Sequence, residues 1–143
     1  MPTRAQISKT EEQQGGHTDL MRAALTGDID TVKSLIAGGA DVNERNEDGR
    51  TPLMFASING ETECAKELLQ HGADVNAKAN DGGTALMLAA STGDAELVKA
   101  LLAKGADVAG KYIETGQTAI MIARDHGYDE IVQLLQTAGA LNQ

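Results

Sequence analysis

The residues able to do chemistry are few and widely separated. His17, His71 and His126 are spread over the length of the chain, and Cys64 is the single cysteine. No Cys/His metal spacing, no Ser/His/Asp arrangement and no glycine-rich phosphate loop is present. The densest group of proton-transferring or metal-ligating types is Asp125, His126, Asp129 and Glu130. Such residues at one turn could hold a metal or work as an acid/base pair, but nothing closes the constellation, and they read as a solvated turn. Asn46-Glu47-Asp48-Gly49 and Asn80-Asp81-Gly82 resemble pieces of a calcium loop. The alternating ligands and closing Glu are missing, so both read as turns. Met21, Met54, Met87 and Met121 form a regular stripe. Thioethers suit soft metals, but adaptable apolar packing is the preferred reading. The sequence therefore predicts no catalytic residue, no metal and no cofactor.

The methionine stripe leads to the elements that must position everything else. Gly-Ala-Asp-Val begins at Gly39, Gly72 and Gly105, with a shortened Gly-Ala-Leu-Asn at Gly139, at spacings of 33, 33 and 34 residues. Thr18, Thr51, Thr84 and Thr118, each three residues before a stripe methionine, keep the same period. A period of this length is the mark of a stacked array. One unit resolves into two short helices. Thr51 suits an N-cap and Pro52 the first helical position, which predicts a helix over about 52–59 that ends at Gly60. A second helix over about 61–70 carries Cys64, Ala65, Leu68 and Leu69 on one stripe and stops at Gly72. Ala73 to Asn76 reads as extended, and Asn80 to Gly83 as a turn. Helices of about ten residues are marginal alone, so neighbours must stack to bury a continuous core.

Composition sets further bounds. The chain has 143 residues and a formal net charge of −9. Arg4, Lys9, Glu11 and Glu12 cancel in residues 1–16, so the whole excess lies in the repeats. An acidic surface argues against nucleic acid and anionic lipid as main partners. Aromatic residues are only Phe55, Tyr112 and Tyr128, which leaves the core to Ala, Leu and Val. A lone Cys64 permits no disulfide within one chain and fits a reducing compartment. The column Thr31, Cys64, Leu97, Ile131 is predicted to point inward. Neither a signal peptide nor a membrane span is legible, which points to a cytoplasmic protein.

Residues 1–16 read as a flexible tail, and residues 17–143 as one repeat domain with units at about 17–46, 47–80, 81–113 and 114–143. The column Arg22, Phe55, Leu88, Ile122 is polar only in the first unit, and the column Ile36, Leu69, Leu102, Gln136 only in the last. Polar residues at the two outer faces are what the ends of a stack require, so the array reads as complete and monomeric.

Gly49-x-Thr-Pro-Leu-x-x-Ala56, Gly93-Asp-x-Glu-Leu-Val-x-x-Leu-Leu102 and the Gly-Ala-Asp-Val-Asn runs at 39–43 and 72–76 resemble the ankyrin-repeat family over about residues 17–143. The resemblance implies an all-α solenoid of helix-turn-helix units joined by β-turn or hairpin loops. It also implies a non-catalytic protein-protein interaction module. Carried over from the family, its partner would meet a concave surface of loop tips and first-helix ends. The tips are Glu47, Asp48, Arg50, Asn80, Asp81, Tyr112, Ile113 and Glu114. The helix ends are Ile58, Asn59, Ser91, Thr92, Asp125 and His126. Tyr112 and Ile113, in a loop one residue longer than the others, are the expected anchors. Stoichiometric inhibition of a partner enzyme is the alternative activity that the resemblance allows. The family usually carries His after Thr-Pro-Leu, where this chain has the methionine stripe. Leu35-x5-Asp41-Val42-Asn43 and Leu68-x5-Asp74-Val75-Asn76 resemble the family motif that an asparaginyl hydroxylase modifies.

Overall fold

In the computed structural model, which describes residues 17–141, each repeat folds as a pair of helices. In chain order they are α1 (Asp19–Thr26), α2 (Ile29–Ala37), α3 (Pro52–Ile58), α4 (Thr62–Gln70), α5 (Ala85–Thr92), α6 (Ala95–Ala103), α7 (Ala119–His126) and α8 (Asp129–Leu141). The tail expected at residues 1–16 lies outside the described residues. Inner helices α1, α3, α5 and α7 pack in sequence on one another, and outer helices α2, α4, α6 and α8 do the same. The described residues contain no strand, only an isolated antiparallel bridge between Lys111 and Thr118.

The inner helices start alike for one chemical reason. Thr18, Thr51, Thr84 and Thr118 have extended backbone, and each hydroxyl accepts the N–H of the methionine three residues on, at 3.2 to 3.4 Å. Four orphan donors per helix end make such a cap worth about 1 kcal/mol. The first three outer helices start on acids: Asp28 accepts from Thr31 N at 3.2 Å and Asp94 from Leu97 N at 3.1 Å, whereas Glu61 makes no cap bond. Asp30, Glu63, Glu96, Asp129 and Glu130 fill the first turns, where the helix dipole favours negative charge. Much of the acidity found in the sequence thus serves local helix stability on the outer layer.

The segment expected to be extended at Ala73–Asn76 bends instead, with Val75 and Asn76 in a turn. The cause is an Asx turn: the Asp74 carboxylate accepts the N–H of Asn76 at 2.9 Å, as Asp41 does for Asn43 and Asp107 for Ala109. The last unit lacks the necessary carboxylate, because Leu141 stands in the place of Asp41. There α8 runs on for 13 residues and passes straight through Gly139.

The core lies between the two helix layers. Ala24, Ala56, Ala89, Ala90 and Ala123 are fully buried, which lets the inner helices approach closely. Leu68, Leu97 and Leu101 are equally inaccessible, and burying each such side chain contributes roughly 1.5–3 kcal/mol. Cys64, Leu97 and Ile131 point inward as expected, but Thr31 does not. It is exposed at the first outer helix, where its hydroxyl donates to Asp28 at 2.6 Å. At the front of the stack, Arg22 pairs with Asp19 at 3.0 Å, and the edge of His17 meets the Phe55 ring at 5.0 Å between centroids. At the far end both Arg124 and Gln136 are exposed. Arg124 takes the place of Ala24, Ser57 and Ala90, all fully buried in their own units. It is a second polar substitution on that face, readable from the repeat alignment beside Gln136.

Candidate functional site

Three hairpins rise between the four helix pairs. Their closing bonds run from Asn46 N to Arg50 O, from Ala79 N to Gly83 O and from Tyr112 N to Gln117 O. Asn46 shapes the first by accepting the N–H groups of Asp48 and Arg50 on its amide oxygen, at 3.0 and 2.9 Å. The hairpins are tied to one another in a ladder. Asn80 N donates to Asp48 O and Ile113 N donates to Asp81 O, each at 2.9 Å. The Asn80 side chain adds a 2.9 Å bond to Glu47 O, and the Arg45 guanidinium donates to Lys78 O. Each hairpin covers the start of the preceding inner helix. Met54 lines a hollow of about 10 Å³, barely one water, together with Ala79, Asp81, Gly83 and Tyr112. The loss of the family's histidine is therefore met by packing: Met21, Met54 and Met87 are each 1% exposed.

Below the hairpins a second set of ties fixes the repeats. The Asn43 amide donates to Gly72 O at 3.0 Å and accepts Asp74 N at 2.7 Å. Asn76 repeats the arrangement with Gly105 O and Asp107 N at 3.1 and 2.7 Å. In the third unit the position is Ala109. Both asparagines of the hydroxylase-like motif thus use their amides to join neighbouring repeats.

The residues expected at the binding surface fall into two groups. Asn59 and Asn80 use their side chains between repeats, Asn59 donating to Leu25 O at 2.7 Å. Ser91 and Thr92 are half-buried, and their hydroxyls donate back to Leu88 O and Ala89 O at 2.6 and 2.9 Å. These side chains position the surface. Glu47, Asp48, Asp81, Ile113 and Glu114 are exposed at the tips, and Ile58, Asp125 and His126 at the inner-helix ends; Arg50 is half-exposed. The Gln117 amide donates to Asp125 at 3.3 Å and joins the third hairpin to the end of α7. The expected anchor pair separates on inspection. Ile113 is 73% exposed, but Tyr112 is half-buried with its ring against Gly83. Burial pushes the Tyr112 hydroxyl pKa up; Asp81 adds to this and Arg50 opposes it. Met121, at 47% exposed, joins Ile58 and Ile113 as the exposed large apolar side chains of the described residues. The sequence assigns all four methionines of the stripe to packing, and Met121 departs from it.

The cluster at the turn of the fourth repeat does not converge. His126 donates from Nδ1 to Ile122 O at 2.9 Å and stacks on Tyr128 with centroids 5.4 Å apart. Asp125 faces Gln117, and Glu130 faces Lys99 across 3.5 Å. Among the described residues no three His, Cys, Asp or Glu side chains come together to hold a metal ion. Cys64 is buried, and desolvation, with the Glu61 and Asp28 carboxylates adding to it, pushes its thiol up to about 11. An open groove lies on the outer layer, between α6 and α8, lined by Leu102, Ala103, Ala106 and Leu134. No described helix is long and apolar enough to cross a membrane.

The family model for ankyrin repeats, three copies long, matches residues 20–112 and again residues 80–142. No curated protein matches the chain. The helix pairs, their threonine caps and the stacked hairpins agree with that match: the chain belongs to the ankyrin-repeat family. Proteins built from these repeats generally bind other proteins and are typically non-catalytic.

Proposed function

We propose that the chain is a non-catalytic module that binds a protein partner on the surface formed by the hairpin tips and the ends of the inner helices. The supporting observation is where exposed apolar area and charge lie. Among the described residues Ile58, Ile113 and Met121 are the exposed large apolar side chains, and all three belong to the hairpins and inner helices. On the hairpins, Arg45, Arg50, Lys78 and Lys111 stand among Glu44, Glu47, Asp48, Asp81 and Glu114, close to neutral balance. A near-neutral surface with a few aliphatic anchors suits protein recognition, where the centre of an interface is depleted in charge. The outer helices with their N-cap acids, and the turns at Asp41, Asp74 and Asp107, carry most of the net charge, and an acidic chain disfavours nucleic acid. With Cys64 as its one thiol, the module suits a reducing, cytoplasmic setting, where it acts as a monomer.

The test is a pull-down from lysate of the source cells. It compares the wild-type chain with a variant carrying Arg50→Glu, Ile58→Glu and Ile113→Glu, both shown to have the same circular dichroism and melting temperature. A protein captured by wild type and lost by the variant supports the reading. Equal capture by both, with loss on Glu63→Lys and Glu96→Lys, moves binding to the outer helices and sinks it.

A further inference from the structure

Among the described residues the hairpin ladder is open at its last edge, and three observations mark the opening. Met21, Met54 and Met87, on inner helices that a hairpin follows, are 1% exposed, whereas Met121 is 47% exposed. A Cβ added at Gly49 would meet the Asn80 amide oxygen at 2.5 Å, and one at Gly82 would meet Lys111 O at 2.5 Å; at Gly116, the same place in the third hairpin, nothing lies within 4 Å. Asp48 O and Asp81 O, each two residues after the residue that opens its hairpin, accept the next hairpin's N–H; in the longer third hairpin neither Glu114 O, at that count, nor Thr115 O, before Gly116, accepts a backbone bond among the described residues. No described hairpin follows α7, because α8 continues to Leu141.

We propose that this edge, formed by Glu114, Gly116 and Met121 with Ile113 at its rim, receives a turn of a partner polypeptide. The proposal rests on the protein-binding reading above and assigns it an anchoring subsite. The chemistry of the occupant follows from the three covered junctions. It presents a backbone N–H to Glu114 O, as Asn80 does to Asp48 and Ile113 to Asp81. It also lays an apolar side chain on Met121, as Ala79 and Tyr112 line the hollow beside Met54. Unpaired backbone at such an edge is a template for main-chain pairing, with an adjacent apolar contact supplying selectivity. Methionine suits the contact because its flexible thioether adapts to different aliphatic or aromatic partners.

The probe is a cyclised peptide with the sequence of this chain's own third hairpin, Ala109–Thr118, titrated into the full 143-residue chain labelled with ¹⁵N and with ¹³C at methionine methyls. The expected result is a saturating shift of the Glu114 to Gln117 amides and of the Met121 methyl, with Met21, Met54 and Met87 unmoved. Placing Asp at the peptide's Tyr112 position abolishes the shifts, and Met121→Lys or Ile113→Glu in the protein weakens binding by roughly tenfold or more. Both variants change exposed side chains, and an unchanged spectrum elsewhere shows that each still folds. The proposal fails if millimolar peptide leaves this edge unmoved, or if the shifts fall in the α6–α8 groove. It also fails if the Met121 methyl shifts on dilution alone, which means that a second copy covers the edge. A Met121 shift caused by deleting residues 1–16 likewise overturns it, by showing that the chain's own leader does. A partner captured through Ile58 and Arg50 alone leaves the binding module standing without this subsite, so the two readings fail separately.

Discussion

Asn76 and Asp107, thirty-one residues apart, are joined by a 2.7 Å hydrogen bond in which the Asp107 N–H donates to the Asn76 amide oxygen. The other half of the same amide donates to Gly105 O at 3.1 Å. One side chain thereby holds the turn after α6 in register with the turn before it. Asn76→Ala should lower stability by about 1–2 kcal/mol, the worth of two exposed hydrogen bonds. Ala109→Asn is the informative companion, because the continuous helix α8 gives a new amide no equivalent turn to bridge. It should stay within about 0.5 kcal/mol of wild type. Urea denaturation with a common m-value checks both, and a gain of more than that for Ala109→Asn would mean that the fourth unit turns as the others do.

The packing layers should separate by burial. Leu68→Ala empties a fully inaccessible site and should cost about 2–5 kcal/mol through the cavity it leaves. Met54→Ala, beneath the second hairpin, falls in the same range. Met121→Ala, at 47% exposure, should cost no more than about 0.5 kcal/mol. Equal losses for Met54 and Met121 in thermal unfolding would show that the edge at α7 is covered.

Two glycines test that edge from the backbone side. Gly82 and Gly116 have φ of 87° and 70°, so alanine at either pays about 1–2 kcal/mol for the left-handed backbone. At Gly82 the new methyl also meets Lys111 O at 2.5 Å, which adds about 1–3 kcal/mol of overpacking. Gly82→Ala should therefore be clearly the more destabilising in a denaturant series. The reverse order would place something against Gly116 in the free protein.

Cys64 should behave as an inert thiol. Its pKa is raised to about 11, chiefly by burial. The folded protein therefore binds the thiol proton more tightly than the unfolded chain does. The linked stability is fully present below the unfolded-state pKa of about 8.5–9 and is lost as pH rises toward about 11. Labelling with a thiol reagent at pH 8 should be slow in the native protein and rapid in denaturant. Cys64→Ala should flatten the alkaline fall in melting temperature, and an unchanged fall would assign it to other groups.

The family and the helix pairs were legible because they rest on local chemistry repeated four times. Thr51 before Pro52 marks a helix start whatever packs on it, and the 33-residue spacing reports stacking without coordinates. The turn at Val75 and Asn76 was missed because an apolar residue in a short run looks extended. The signal that could have found it is Asp74, whose carboxylate accepts the N–H two residues on.

Charge, the repeat period and the caps were settled by the sequence. So was the polarity of Arg22 and Gln136, since a column of aligned repeats exposes the odd member. The tertiary structure alone decided which members of identical columns are buried. Met121 is chemically the same as Met21, Met54 and Met87, and Gly116 the same as Gly49 and Gly82. Their difference is the presence or absence of a neighbouring hairpin. Asn59 and Asn80 likewise read as surface groups free to bind, until Leu25 O and Glu47 O, thirty-four and thirty-three residues away, proved to be their partners. A periodic sequence specifies each unit and the rule for joining units. The environment of a residue at an edge depends on what is stacked there, which is a property of the assembled array.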